Sequence, residues 1–247
     1  MERKILAIFA HPDDESFGPS GTLAHYARNG VRVRLLTATR GEAGKNALSN
    51  TDEPLGKIRE RELLKAAKIL GLEKVDFMGY KDKTLQNLEP HPPIEKILHY
   101  IEMFKPQILI TYGPTGISRH PDHITVHKWV TQVFRMSEYP KKLYYYTLPK
   151  ELLLARHPDL VDGDGEITTV IDVSSYKNVK KSAILCHISQ RYSIERIFDF
   201  AGGERPIPEK EYFVLADHKL DYRIDGIEDD LFCGIESGNK TPIGKLL

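Results

Sequence analysis

The chain has 247 residues, and its 35 lysines and arginines balance 35 aspartates and glutamates to a formal net charge of zero. With 40% hydrophobic and 28% charged residues it has the composition of a globular protein, long enough for one large α/β domain or a domain with a smaller appendage. The charge balance argues against a nucleic-acid partner and against a membrane-surface protein.

Ile5-Leu6-Ala7-Ile8-Phe9 is a continuous apolar run, the pattern of a strand buried on both faces. It is also too short for the core of a signal peptide. A helix is expected near Gly21 to Asn29, with Gly30 placed to end it. Val31 to Leu36 alternates as a second strand, and Thr39 to Asp52 is a polar loop. Pro54 to Leu70 carries Ile58, Leu63, Ala66, Ala67 and Leu70 on one helical face, with Gly71 as its stop. Val75 to Met78 is a short strand, Lys81 to Pro93 a loop, and Ile94 to Phe104 a helix. Ile108-Leu109-Ile110 starts another buried strand. Gly113 to Pro121 is a loop and Asp122 to Phe134 a helix.

Residues 1–135 therefore alternate strand and helix, which implies a mainly parallel sheet with helices on both faces. Residues 136–247 read as a smaller, less regular C-terminal extension of a single domain. In it, Leu143 to Thr147, Thr168 to Val173 and Tyr212 to Ala216 are expected strands, and Ser174 to Gln190 a helix. No apolar stretch is long enough to span a bilayer. Cys186 and Cys233 lie far apart without metal or redox spacing, which fits a reducing cytoplasm.

Two clusters carry chemistry. His11-Pro12-Asp13-Asp14-Glu15 follows the first strand, and His120-Pro121-Asp122-His123 follows the strand at Ile108 and opens a helix. Ligands of open α/β folds bind at the carboxyl ends of strands, so the topology brings both clusters to one edge of the sheet. Two histidines and one carboxylate suit a catalytic zinc with a position left for water, and a further carboxylate beside it can accept the water's proton. Of the adjacent Asp13 and Asp14, one can hold metal while the other faces the water. A plainer reading makes the acids a helix N-terminus, Asp122 an N-cap and His123 a surface histidine. Arg156-His157-Pro158-Asp159 is an internal control: it repeats the tripeptide without a second acid or a following histidine, and reads as a turn.

Ala10-His11-Pro12-Asp13-Asp14-Glu15 with Arg119-His120-Pro121-Asp122-His123 resembles the PIG-L/LmbE-type zinc-dependent N-acetylglucosaminyl deacetylases. So do Thr39-Arg40-Gly41-Glu42-Ala43-Gly44, Arg59-Glu60-Arg61-Glu62, Thr111-Tyr112-Gly113-Pro114 and, later, His187-Ile188-Ser189-Gln190. The resemblance implies a Rossmann-like three-layer α/β/α fold and removal of acetyl groups from N-acetylglucosamine-type sugars. It implies His11, Asp14 and His123 as zinc ligands, although such a set accepts other divalent ions. It further implies Asp13 as general base, His120 as an imidazolium that stabilises the oxyanion and then protonates the amine, Asp122 as the group orienting His120, and Arg59 as a substrate contact. Members often self-associate, so a homo-oligomer is compatible. Several carry a tyrosine where this chain has Ser118, and the neighbouring Arg119 would add positive charge for an anionic intermediate or a phosphate-bearing substrate.

Relatives that cleave amides of glucosamine-containing thiol conjugates give an alternative substrate. A dinucleotide-binding oxidoreductase fits worse, since no Gly-x-Gly-x-x-Gly follows the first strand. A non-catalytic sugar-binding protein fits worse too, since every expected metal and acid–base residue is present. Among other residues, His127 reads as a support or surface histidine, His187 as a core-edge histidine and Tyr144-Tyr145-Tyr146 as strand packing. Glu42 stands between a turn and a site role.

Overall fold

A computed structural model describes residues 2–48, 51–156, 164–198, 200, 205–221 and 226–235. Seven strands form one sheet: β1 (Lys4–Phe9), β2 (Arg32–Thr39), β3 (Lys74–Tyr80), β4 (Ile108–Tyr112), β5 (Lys142–Thr147), β6 (Thr169–Asp172) and β7 (Lys210–His218), in the order β3-β2-β1-β4-β5-β7-β6. The first five are parallel; β7 runs antiparallel to both β5 and β6. The expected mainly parallel α/β sheet is thus present. The strands of residues 142–218 extend the same sheet instead of standing apart from it.

Helices follow the strands: α1 (Asp14–Phe17), α2 (Ser20–Arg28), α3 (Leu55–Leu70), α4 (His91–Phe104), α5 (Pro121–Met136), α6 (Lys150–Arg156), α7 (Lys177–Ile184) and α8 (Arg191–Ile197). α2, α3 and α7 pack together as one layer, and α4 and α5 as the other. β1 is covered from Ile5 onward, with Ile5, Ala7 and Ile8 at 0% exposure, because a parallel strand with helices on both faces has no wet side.

Several elements differ from expectation. α4 begins at His91, earlier than Ile94, because Pro92 and Pro93 occupy its first turn, where their missing N–H groups have no intrahelical partner to lose. α1, α6 and α8 have no counterpart among the expected helices. Ser174 to Gln190 is not one helix: a 3-10 turn leads into α7, which stops at Ile184, and a second 3-10 turn spans Ile188–Gln190. The break places His187, Ser189 and Gln190 against the first half of the chain, contacts that outweigh helical continuity. The His157-Pro158-Asp159 control lies outside the described residues.

β7 locks the layers through a buried ion pair. Glu211 accepts the N–H groups of Gly21 at 3.0 Å and Thr22 at 2.7 Å, near the start of α2, and Lys180 of α7 pairs with it at 2.6 Å. Both side chains are buried. Gly21 has no room for a side chain: a Cβ there would sit 2.7 Å from Val173 Cβ.

Candidate metal centre

β1 and β4 are neighbours although the chain visits β2 and β3 between them, so their carboxyl ends form the switch point of the sheet. His11 to Asp14 leave β1 there, and Gly113 to His123 leave β4 into α5. Four of the five non-glycine residues with positive φ among the described residues, Asp13, Lys83, Ile117 and Arg119, lie in the loops around this point. Such conformations persist where surrounding contacts hold them, and they gather at functional sites.

His11 Nδ1 lies 3.2 Å from His123 Nε2 and 3.5 Å from Asp14 Oδ2, and His123 Nε2 lies 3.3 Å from Asp14 Oδ1. Donors about 2.0–2.1 Å from a tetrahedral zinc stand about 3.3–3.4 Å apart, so this triangle of side chains is spaced for one ion, with the Asp14 carboxylate facing His11 through Oδ2 and His123 through Oδ1. The other ring nitrogens are committed. His123 Nδ1 faces Gly116 O at 3.0 Å, and His11 Nε2 faces Asp82 at 3.0 Å and Asp122 at 3.2 Å. Each can only donate to those oxygens. The two nitrogens that face each other then both present lone pairs, beside a carboxylate, and a cation between them relieves the repulsion. Without a cation the same surroundings favour a proton there: burial opposes charge on His11, yet Asp122, Asp14 and Asp82 outweigh it and hold its pKa well above the ordinary value, so a metal ion would take the place of that proton. Burial likewise opposes charge on Asp14, but His123 and His11 hold its carboxyl well below the usual range. The Tyr112 hydroxyl donates to Asp14 Oδ2 and accepts from Ala10 N–H at 2.8 Å, while its ring stacks on His123 with centroids 4.2 Å apart.

Asp13 sits beside the triangle with φ 120° and ψ −23°. Its Oδ1 is 3.1 Å from Arg59 Nη2. Burial pushes its carboxyl up to about 6, with Arg59 opposing the shift. A buried carboxylate of that basicity is suited to take up and release a proton near neutral pH.

Three residues differ from what the resemblance implies. The Asp122 carboxylate turns to His11 Nε2 and accepts the N–H groups of Lys83 at 2.7 Å and Leu85 at 3.1 Å. His120, the N-cap of α5, is held instead by the backbone, its Nδ1 accepting Asp122 N–H at 3.2 Å. That bond favours the neutral ring with its proton on Nε2, and burial with His11 and His123 lowers the His120 pKa. Arg59, implied as a substrate contact, is 4% exposed and directs its fork to Gly41 O, Pro12 O and Asp13. Gly41, at φ +64°, leaves space for it, since a Cβ there would lie 2.3 Å from Arg59 Nη1. Arg119 is exposed and outside the residues lining the cavity, whereas Ser118 lines it.

Asp82 escaped the sequence reading. It leaves the carboxyl end of β3, and a carboxylate at a parallel-strand exit was the available signal. Burial opposes its charge, but His11 and neighbouring donors bring its carboxyl down to about 2. Glu42 and Ala43 brace it: Glu42 Oε1 accepts Asp82 N–H, and Asp82 Oδ2 accepts Ala43 N–H, both at 3.0 Å. Asp82→Asn is expected to weaken metal affinity about 10–100-fold by loosening the orientation of His11, as measured by competition with a chromogenic chelator. Unchanged affinity would remove Asp82 from the metal centre. His127 Nδ1 bonds Tyr112 O at 3.0 Å, one helical turn beyond His123, and serves as a support.

The site opens into a cavity of about 540 Å³ whose walls include Phe17, Tyr146, Leu148, Tyr192, Lys45 and Arg196. Fold and site together define an open α/β protein whose sheet switch point gathers histidine and carboxylate side chains that could hold a metal ion.

The chain belongs to the PIG-L family, described as GlcNAc-PI de-N-acetylase, whose model matches residues 6–134. It is 30% identical to a 1D-myo-inositol 2-acetamido-2-deoxy-alpha-D-glucopyranoside deacetylase of Saccharomonospora viridis over 94% of this chain and 100% of the relative. The enzyme of that name from Rhodococcus opacus is 31% identical over 95% and 99%. Among solved structures, N,N'-diacetylchitobiose deacetylase of Pyrococcus horikoshii superimposes with a TM-score of 0.65 at 21% identity, covering 86% of this chain and 83% of its own. A 4-carboxy-2-hydroxymuconate hydratase of Pseudomonas putida superimposes with a TM-score of 0.63 at 17% identity, covering 90% and 100%. That pair shares the fold across different chemistries, so activity has to be argued from the site.

Proposed function

We propose that the protein is a zinc-dependent N-deacetylase that removes acetate from an N-acetylglucosamine-type sugar or glycoconjugate. The observation that carries this is the triangle of His11, Asp14 and His123 with the unligated Asp13 carboxylate beside it, at the floor of an open cavity. The names of the relatives supply the substrate class.

His11, Asp14 and His123 would hold the zinc. When bound, zinc lowers the pKa of a coordinated water to about 7 and polarises a carbonyl. Asp13 accepts the proton of the attacking water as the new C–O bond forms at the acetyl carbon. His120 donates Nε2–H to the carbonyl oxygen, and a well-placed donor of this kind is worth about 3–4 kcal/mol in the transition state. As the C–N bond breaks, Asp13 passes its proton to the leaving nitrogen, and acetate and a free amine result. Arg59 holds Asp13 in place throughout, and the aromatic and aliphatic walls of the cavity receive the sugar and its aglycone. The unpaired thiols of Cys186 and Cys233 fit a cytoplasmic enzyme, and no helix among the described residues is long and apolar enough to cross a membrane.

Chelation followed by zinc is the direct test. Dialysis against a strong chelator is expected to abolish acetate release from N-acetylglucosamine glycosides, and one equivalent of zinc to restore it. Full activity after complete metal removal would overturn the zinc reading. A parallel assay on the amide of a glucosamine thiol conjugate tests the alternative substrate, and faster turnover there would replace the N-acetyl sugar.

A further inference from the structure

His187-Ile188-Ser189-Gln190 is not used by the reaction, yet its polar side chains dock on three separate motifs of the first half of the chain. His187 Nε2 meets Glu15 Oε1 at 3.0 Å and Ser16 Oγ at 3.1 Å. Ser189 gives Glu62 two bonds, from its N–H at 2.8 Å and its hydroxyl at 2.6 Å. Gln190 Nε2 donates to Lys45 O at 3.0 Å, and Ser189 O accepts Ala47 N–H at 2.8 Å. His187, Glu15 and Ser189 are all at 0% exposure.

Two of these contacts converge on Asp13. Glu15 Oε2 accepts the Asp13 N–H at 3.1 Å, so His187 reaches the Asp13 backbone through Glu15. Glu62 lies one turn beyond Arg59 on α3, so Ser189 steadies the helix from which Arg59 grips the Asp13 carboxylate. Asp13 needs such holding, because φ 120° is a backbone conformation that non-glycine residues rarely adopt and keep only under surrounding constraint. We propose that the His187–Gln190 segment is a positioning clamp, with His187, acting through Glu15, setting the backbone of Asp13 and so the aim of its carboxylate. The catalytic part of this rests on the deacetylase reading above; the structural part does not.

The test compares two amides at position 187 in the zinc-loaded protein. Glutamine carries its amide nitrogen at the position of Nε2 and can still donate to Glu15, whereas asparagine reaches only the position of Nδ1. The Asp13 amide is expected to exchange with solvent near the wild-type rate in His187→Gln and at least about tenfold faster in His187→Asn, as read by NMR, since one buried hydrogen bond separates them. In the same pair, kcat for acetate release is expected to fall about tenfold or more in the asparagine variant and to stay within a few-fold of wild type in the glutamine variant. An unchanged KM and one bound zinc per chain are expected in both. Equal Asp13 exchange in the two variants overturns the clamp, as does a loss confined to KM, zinc content or folded fraction. A wild-type enzyme inactive on every N-acetyl sugar would overturn the substrate reading instead, and the exchange rates would still decide this one.

Discussion

Asp13→Asn is expected to leave the metal centre loaded and to lower kcat by about 10²–10⁴-fold, the contribution of a positioned general base. Asparagine is close in size and tolerates positive φ better than most residues, so the strained turn at φ 120° survives. Its amide oxygen can keep the contact that Arg59 Nη2 makes at 3.1 Å. None of the proposed metal donors His11, Asp14 and His123 is altered. The amide, however, cannot take a proton from water. Zinc stoichiometry and steady-state acetate release on one preparation check both halves. Normal turnover would move the base elsewhere, and loss of zinc would make Asp13 part of the metal's support.

The second large effect is on stability. Lys180→Met removes the partner of Glu211 inside the protein, where both groups are buried. Breaking a buried pair from one side typically costs about 3–5 kcal/mol, because the remaining charge is left without compensation. At about 2–4 °C per kcal/mol for a domain of this size, the melting temperature should drop by roughly 10 °C. Glu211 retains the N–H groups of Gly21 and Thr22, so the loss is a weakened lock between α2, α7 and β7. Adding Glu211→Gln should recover part of the stability, since the neutral amide can still accept one of those bonds. A single variant melting within about 3 °C of wild type would show that the pair contributes little net stabilisation.

The hydratase sharing this fold shows why the sheet alone cannot name a reaction. The discriminating features are local: two histidine nitrogens that face each other beside a carboxylate, and a second carboxylate held apart from them by an arginine. The first βα turn presents His11, Asp13 and Asp14 where a dinucleotide's pyrophosphate would need N–H donors, which weighs against the oxidoreductase alternative.

Much of this was written locally. The apolar run Ile5 to Phe9 and the alternating Val31 to Leu36 declare their strands because burial on two faces and on one leave different patterns. Once those strands are parallel, the residues at their exits, His11 to Asp14 and His120 to His123, fall on one edge of the sheet, since crossover connections return every strand in the same direction; that they meet there is decided by the pairing of β1 with β4. Direction of side chains was not legible. That Asp122 turns to His11 and away from His120, that Arg59 grips Asp13 in place of substrate, and that Asp82 joins from a third strand depend on loop geometry set by packing from several elements. The antiparallel placement of β7 and the broken helix after Ile184 were hidden for the same reason. Local periodicity reports which face is buried, but the burial of His187 and Ser189 is decided by Glu15 and Glu62, more than a hundred residues away, and only the folded chain brings them together.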